Sequence, residues 1–165
     1  MTITTLIIMV IFFLIWPLNF FVVLARPLEE PLTVEGRVYC DICRAGFETP
    51  FTTRYIAGAR VRIECRDRTS QEIVYSIGGT TDSTGTYKID IDEDHEDQIC
   101  EVTLVSSPRR DCAEADPGRD RTRVILTRHN GMASTRRFAN AMGFLRYESL
   151  AGCRRVMSQY LELQD

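Results

Sequence analysis

The chain has 165 residues and a formal net charge of −3, and its 23 acidic residues outnumber its 20 basic ones. This balance, with no basic tract interleaved with aromatic residues, excludes a nucleic-acid-binding protein. Lys88 is the single lysine, so nearly all of the cations are arginine. Because a guanidinium binds carboxylates and phosphates through a planar fork that an ammonium lacks, this bias favours either an acidic partner or internal ion pairs.

Residues 1–25 form an apolar leader that we predict to be a cleaved signal peptide. An unbroken apolar run begins at Leu6, and the leader ends in the small residue Ala25, which suits signal-peptidase cleavage. No Lys or Arg precedes the run, and residues 6–24 approach the length of a membrane-spanning helix, so a retained anchor is the alternative. Cleavage leaves residues 26–165 as a single domain, secreted to the extracellular space or cell wall and no longer in contact with a membrane.

Alternating apolar and polar residues predict that the domain is built mostly of short strands. Val61 and Ile63 alternate with Arg60 and Arg62, which is the pattern of a strand with one buried face. The glycine-containing segment 78–85 reads as a turn. Strands are predicted at residues 33–39, 59–65, 72–77, 86–92, 100–105 and 123–127.

The remaining segments complete an all-β domain. Residues 151–163 have the apolar spacing of a short C-terminal helix, whereas residues 106–120 and 128–137 read as loops. Many short strands separated by turn signals predict an antiparallel β-sandwich or barrel.

Six cysteines follow the predicted cleavage site, so they reach an oxidising compartment and predict three disulfides. Their pairing is left open by the cysteine count. The Cys40-Asp-Ile-Cys43 element could also be a redox pair or half of a zinc site, but neither His95 nor His129 has zinc-finger spacing to another ligand. We therefore expect no metal and no cofactor. The cysteines are Cys40, Cys43, Cys65, Cys100, Cys112 and Cys153.

An acidic cluster resembles a calcium-binding loop in its spacing. Asp90, Asp92, Asp94 and Glu101 match the first, third, fifth and twelfth positions of that loop. His95 occupies the sixth position, where the loop needs glycine, and the flanking segments are predicted strands rather than helices. A solvated acidic hairpin loop is the better interpretation.

Catalytic motifs do not emerge from the sequence. It has no Gly-x-Ser-x-Gly elbow and no His-Glu-x-x-His element. His95 could be an acid–base group, but a charged histidine among carboxylates is explained by charge balance. We predict a non-enzymatic protein.

The arginines form the candidate partner-binding site. Arg60 and Arg62, with Arg66 and Arg68 just beyond them, could project from one strand face and bind a polyuronate or an acidic protein surface. The alternative is an ordinary solvated face whose arginines pair with charges on neighbouring strands. The same alternation recurs at Arg119, Arg121 and Arg123, and the pairing residues of the alternative are Glu64, Lys88 and Asp90.

One segment closely resembles a known family signature. Residues 36–49, Gly-Arg-Val-Tyr-Cys-Asp-Ile-Cys-Arg-Ala-Gly-Phe-Glu-Thr, are similar to the signature of the plant pollen allergen and extensin family. Further stretches similar to this family are residues 58–65, 81–87, 94–102, 104–108, 137–140 and 142–144.

The resemblance carries expectations about structure and function. It implies an antiparallel β-sandwich or barrel with the pairs Cys40–Cys112, Cys43–Cys153 and Cys65–Cys100. It also implies a secreted, non-enzymatic protein that binds a receptor-kinase ectodomain or signals at the cell wall during pollen-tube growth or development. The alternative is a structural protein that binds acidic wall polysaccharide. The chain departs from many members in having no N-glycosylation sequon and no proline-rich tract.

Overall fold

The computed structural model describes the backbone of residues 30–162, so the predicted signal peptide and the alternative anchor lie outside the described residues. Within that range, no helix is long and apolar enough to cross a membrane. Ten strands precede one helix among these residues: β1 (Leu32–Asp41), β2 (Thr53–Tyr55), β3 (Arg60–Asp67), β4 (Ile73–Thr80), β5 (Thr86–Ile91), β6 (Gln98–Ser106), β7 (Glu114–Ala115), β8 (Arg121–Val124), β9 (Arg136–Phe138), β10 (Met142–Leu145) and α1 (Cys153–Glu162).

The strands form two sheets, which confirms the predicted sandwich class. The first sheet is organised around β1, whose first half pairs with β5 and β9 and whose second half pairs with β2 and β10. Strand β7 pairs with β10 at one edge. The second sheet has the order β4-β3-β6-β8 and is antiparallel throughout. The pairs β1–β9 and β1–β10 are parallel, a feature that alternation alone does not predict.

The core confirms the predicted alternation. In β3, Val61 and Ile63 are buried while Arg60 and Arg62 are exposed. The same pattern buries alternate residues of β5. Burying one such aliphatic side chain stabilises the fold by roughly 1.5–3 kcal/mol.

Several sequence predictions differ from the structure: β2 was not predicted, and β8 spans Arg121–Val124 rather than residues 123–127. Strand β4 continues through Gly78 and Gly79, where the sequence predicts a turn, because Gly79 packs on the core: a Cβ there would lie 2.6 Å from Ile89 Cδ1. The predicted loops contain β7 and the start of β9. Strand β10 was missed because all of its residues are buried, so it shows no alternation.

Three disulfides stabilise the sandwich, as the six cysteines predict, and their pairs are those implied by the family resemblance. Cys65 and Cys100 are register partners on β3 and β6, with Cα atoms 4.0 Å apart. The end of β1 is linked to distant segments through two bridges with sequence separations of 72 and 110 residues. In the chain-entropy model, each long bridge stabilises the fold by on the order of 4–5 kcal/mol. The long bridges are Cys40–Cys112 and Cys43–Cys153.

Two buried tyrosines each lie over a glycine on the neighbouring strand. Tyr87 is the register partner of Gly36, and Tyr39 is the partner of Gly143. A Cβ on Gly143 would lie 2.7 Å from Tyr39 Cζ, and one on Gly36 would overlap the Tyr87 hydroxyl. Neither hydroxyl has a hydrogen-bond partner among the described residues. Burial raises the pKa of Tyr39 to about 12 and raises that of Tyr87 as well.

We expect non-reducing peptide mapping of the protein, purified without reductant, to recover Cys65 linked to Cys100, together with the two long bridges. The pairing brings the Cys-x-x-Cys cysteines to different partners, because Cys40 lies within β1 and Cys43 lies beyond its end. Mass spectrometry of the linked peptides measures this. A peptide containing a Cys40–Cys43 bridge would contradict the pairing.

We expect Gly36→Ala to lower the free energy of unfolding by about 1–3 kcal/mol, because the new methyl group overlaps the Tyr87 hydroxyl. Tyr87→Phe removes the overlapping oxygen, so the double variant should recover part of this loss. Chemical denaturation with the disulfides intact measures the free energy of unfolding of the single and double variants, and so the coupling between Gly36 and Tyr87. Gly152→Ala is the control, since a Cβ there meets no atom within 4 Å; strictly additive effects of the two changes would contradict the pairing of Gly36 and Tyr87.

Candidate functional site

Four exposed arginines lie on the outer face of the second sheet. Arg60 and Arg62 are on β3, Arg121 and Arg123 are on β8, and β6 lies between these strands. Thr103 of β6 is the register partner of both Arg62 and Arg121, which places these two side chains in one row across the sheet. We call Arg60, Arg62, Arg121 and Arg123 the arginine surface.

The other two predicted site arginines have local partners. The Nη2 of Arg66 lies 3.0 Å from Glu64 Oε2, and its Nη1 donates to the carbonyl of Gln71. Arg68 lies beyond the end of β3 and donates to the carbonyls of Glu96 and Asp97 at 3.1 Å. The expectation that all four arginines project from one strand face is therefore wrong at Arg68, because the strand ends before it.

The arginine surface is partly paired with nearby acidic groups: Arg121 Nη2 lies 3.2 Å from Asp120 Oδ2, and the other contacts are longer. Arg62 Nη1 lies 3.7 Å from Glu64 Oε1, and Arg121 Nη1 lies 3.9 Å from Glu101 Oε2. The hydrogen bond from Arg121 to Asp120, followed by the carboxylate charges nearby, raises the pKa of Arg121. Contacts of this length between exposed groups contribute little stability.

Two charges that the solvated-face interpretation assigned to this surface lie in the other sheet. Lys88 Nζ is 3.5 Å from Glu35 Oε2, and Asp90 accepts a hydrogen bond from Thr33 Oγ1 at 2.7 Å. Strand β5, which carries both, pairs with β1. Glu64 and Glu101 lie in the rows of the four arginines, and Asp120 pairs with Arg121, so four guanidiniums face three carboxylates and the surface keeps a small excess of positive charge.

A groove lies beside Arg60 and Arg62, and the sequence reading missed it. It has a volume of about 290 Å³, and Gly78, Thr80 and Val105 line it together with the two arginines. Gly78 is the register partner of Arg62 and has no side chain to cover the guanidinium. The signal that could have revealed the groove is a pair of glycines inside a strand, which often marks a close approach by another chain or ligand.

The acidic loop has a structural role. Asp94 Oδ2 accepts hydrogen bonds from the Arg128 N–H at 2.9 Å and from Thr127 Oγ1 at 3.1 Å. His95 is buried, with its ring centroid 4.4 Å from that of Tyr75 and its Nδ1 3.0 Å from Gln98 Oε1. The interpretation of His95 as a solvated charge among carboxylates is therefore wrong: its ring packs inside the sandwich.

A second exposed feature is an aromatic groove beside residues 44–55, a segment that ends in β2. Tyr55 and Phe138 line a cavity of about 310 Å³, and 73% of the Phe138 surface is exposed. The Arg37 guanidinium lies 4.2 Å from the centroid of the Tyr55 ring, and the Tyr55 hydroxyl donates to Glu48. We call Arg37, Glu48, Tyr55 and Phe138 the aromatic groove. It offers an apolar centre with a charged rim, an arrangement typical of protein interfaces.

Known proteins resemble this chain over most of its length. It is 50% identical over 137 residues to Protein DOWNSTREAM OF FLC from Arabidopsis thaliana, covering 83% of each chain. It is 47% identical to Pollen-specific protein C13 from Zea mays, covering 76% of this chain and 74% of the relative. It is 40% identical to Anther-specific protein LAT52 from Solanum lycopersicum, covering 79% and 80%.

The fold is also similar to a solved structure. The crystal structure of the major plantain pollen allergen Pla l 1 matches with a TM-score of 0.65 and 32% identity, covering 74% of this chain and 98% of that one. The family model described as "Pollen protein Ole e 1 like" matches residues 30–161. This match includes every strand of both sheets and both ends of all three disulfides, and the chain belongs to the Pollen Ole e 1-like family.

Proposed function

We propose that the protein is secreted, is not an enzyme, and binds an acidic patch on a receptor ectodomain through its arginine surface. Its biological role is then receptor binding or wall-associated signalling in pollen-tube growth or development. The observation that carries this proposal is the excess of arginine beside an open groove on an exposed sheet face. The names of the relatives, which describe pollen-specific, anther-specific and pollen allergen proteins, support a role in pollen.

The internal ion pair of Arg62 is weak enough for a carboxylate of a partner protein to replace Glu64. The Arg62–Glu64 contact, at 3.7 Å, is exposed on the arginine side and longer than a strong ion pair. A partner carboxylate can replace it at little cost, because the internal pair contributes little stability. Complementary charge also accelerates the encounter of two proteins and suppresses partners of the wrong sign.

The second candidate is a structural protein that binds acidic wall polysaccharide. It is supported by the ladder of guanidiniums, in which Arg60 and Arg62 alternate along β3 and Arg121 and Arg123 along β8. Salt separates the two functions. A polyuronate held by arginines alone should dissociate steeply as ionic strength rises, whereas a receptor contact that also covers apolar surface should survive.

We expect the double variant Arg60→Ser/Arg62→Ser to be secreted normally and to lose binding to pollen or wall extract. Both side chains are exposed, so the free energy of unfolding should change by no more than about 0.5 kcal/mol. Pull-down from extract at low and at raised salt measures the binding. Arg154→Ser/Arg155→Ser is the matched control, because these exposed arginines of α1 carry the same charge away from the sheet.

Binding of the Arg60→Ser/Arg62→Ser variant at the level of the unchanged protein would contradict the proposal. The arginine surface would then be an ordinary solvated face. The next surfaces to test would be the aromatic groove with residues 44–55, and the segment 106–120.

A further inference from the structure

Strand β4 is a long and uncharged edge of the second sheet. Its eight residues, Ile-Val-Tyr-Ser-Ile-Gly-Gly-Thr, contain no charge and no proline, and it pairs only with β3 among the described strands. The opposite edge, β8, has four residues, of which two are arginine. Exposed edge strands are normally shortened or charged, because their free N–H and C=O groups can pair with another chain. Only β8 is short and charged; the register shift of β4 lies opposite Cys65 and Arg66, at the end of the strand away from Gly78.

The backbone groups that face outward can be assigned from the ladder. The N–H of Thr81 donates to the carbonyl of Ala59 at 2.9 Å, which continues the β3–β4 ladder past its end. Residues of an antiparallel strand alternate between bonding to one neighbour and facing the other side. Up to the register shift at Cys65/Arg66, Tyr75, Ile77 and Gly79 therefore bond to β3, whereas Ser76, Gly78 and Thr80 direct their N–H and C=O groups away from the sheet.

The same three residues lie on the face that carries the arginines. Gly78 is the register partner of Arg62, and Thr80 is the partner of Arg60. A further strand added beside β4 would lie two strand spacings, about 10 Å, from β3. Because Gly78 has no side chain, Arg62 can reach across it to a carboxylate on the added strand. A Cβ at Gly78 would meet only the carbonyl of Val61, at 3.8 Å, so this space is open.

We propose that an extended acidic segment of the partner protein adds to β4 as a fifth strand, with its acidic side chains on the outer face against Arg60 and Arg62. The proposal rests on the proposed function, in which the arginine surface binds an acidic protein, and adds the mode of binding. Main-chain hydrogen bonds to Ser76, Gly78 and Thr80 supply affinity, and the arginines select acidic residues at alternate positions of the segment.

Charge argues against a second copy of this chain as the occupant. Pairing of β4 with β4 of another copy would bring a second set of Arg60 and Arg62 to the same face. Strand β4 has no acidic residue to offer them. An acidic segment instead neutralises the arginines that the internal carboxylates leave in excess.

The test uses the disulfide-bonded protein and a ten-residue peptide of alternating glutamate and valine. Amide hydrogen exchange followed by NMR should show that the peptide protects the N–H groups of Ser76 and Gly78. Ser76→Pro should weaken peptide binding about tenfold or more, since it removes an outward donor and prevents strand pairing. A proline whose missing N–H faces solvent is compatible with an edge strand, and Ser76→Ala, which keeps the N–H, should bind normally.

A second variant tests the same contact without introducing a proline into β4. Gly78→Glu retains the N–H, places a carboxylate beside Arg62 in the open space, and should also weaken binding about tenfold. Gly78→Ala should bind like the unchanged protein. A control peptide with lysine in place of glutamate should not bind.

Several results would overturn the inference: failure of the glutamate peptide to bind, unprotected Ser76 and Gly78 amides in the bound state, or equal binding of the lysine peptide. A dimer seen by sedimentation that Ser76→Pro dissociates would show that β4 is instead a contact between copies. If Arg60→Ser/Arg62→Ser loses the partner in extract while Ser76→Pro keeps it, the proposed function stands and strand addition is wrong.

Discussion

The pairing of β1 along both edges is the constraint on which the rest of the structure depends. Strands β5 and β9 pair with the first half of β1, and β2 and β10 pair with its second half. The position of these four strands therefore depends on β1. Its end is fixed covalently by Cys40 and by Cys43 just beyond it. The buried carboxylate of Asp41 accepts hydrogen bonds from the N–H groups of Cys43 and Gly46, which holds the chain as it leaves the strand.

The two sheets differ in strand pairing and in which of their surfaces are exposed. The first sheet holds the parallel pairs and Cys40, one end of a long disulfide, and its two buried tyrosines pack against glycines of the neighbouring strands, which sets the strand register. The second sheet is a plain antiparallel array with one internal bridge, Cys65–Cys100. Its inner face packs on the core, whereas its outer face is exposed and its β4 edge pairs with no further strand among the described residues. Because such a sheet is rigid, less conformational entropy is lost when a partner binds.

The arginine bias has an internal explanation as well as an external one. Arg137 is buried and donates to the carbonyls of Ile125 and Thr127, while Arg44 pairs with both carboxylate oxygens of Glu114. A planar guanidinium can satisfy several acceptors from one position, which an ammonium does less well. Many arginines therefore hold loops in place, and this distinguishes them from Arg60 and Arg62, whose side chains extend over an exposed sheet face.

The sequence by itself determined the β class, the six main strands and the terminal helix, because one buried face imposes alternation along β3 and β5, and the cysteine count determined three disulfides. It also pointed to Arg60 and Arg62. Only the tertiary structure decided what lies beside them. Parallel pairing to β1, the extension of β4 through Gly78, the loss of Arg68 from the strand face and the burial of His95 depend on contacts between residues far apart in the chain. Such contacts leave no periodic trace in the sequence.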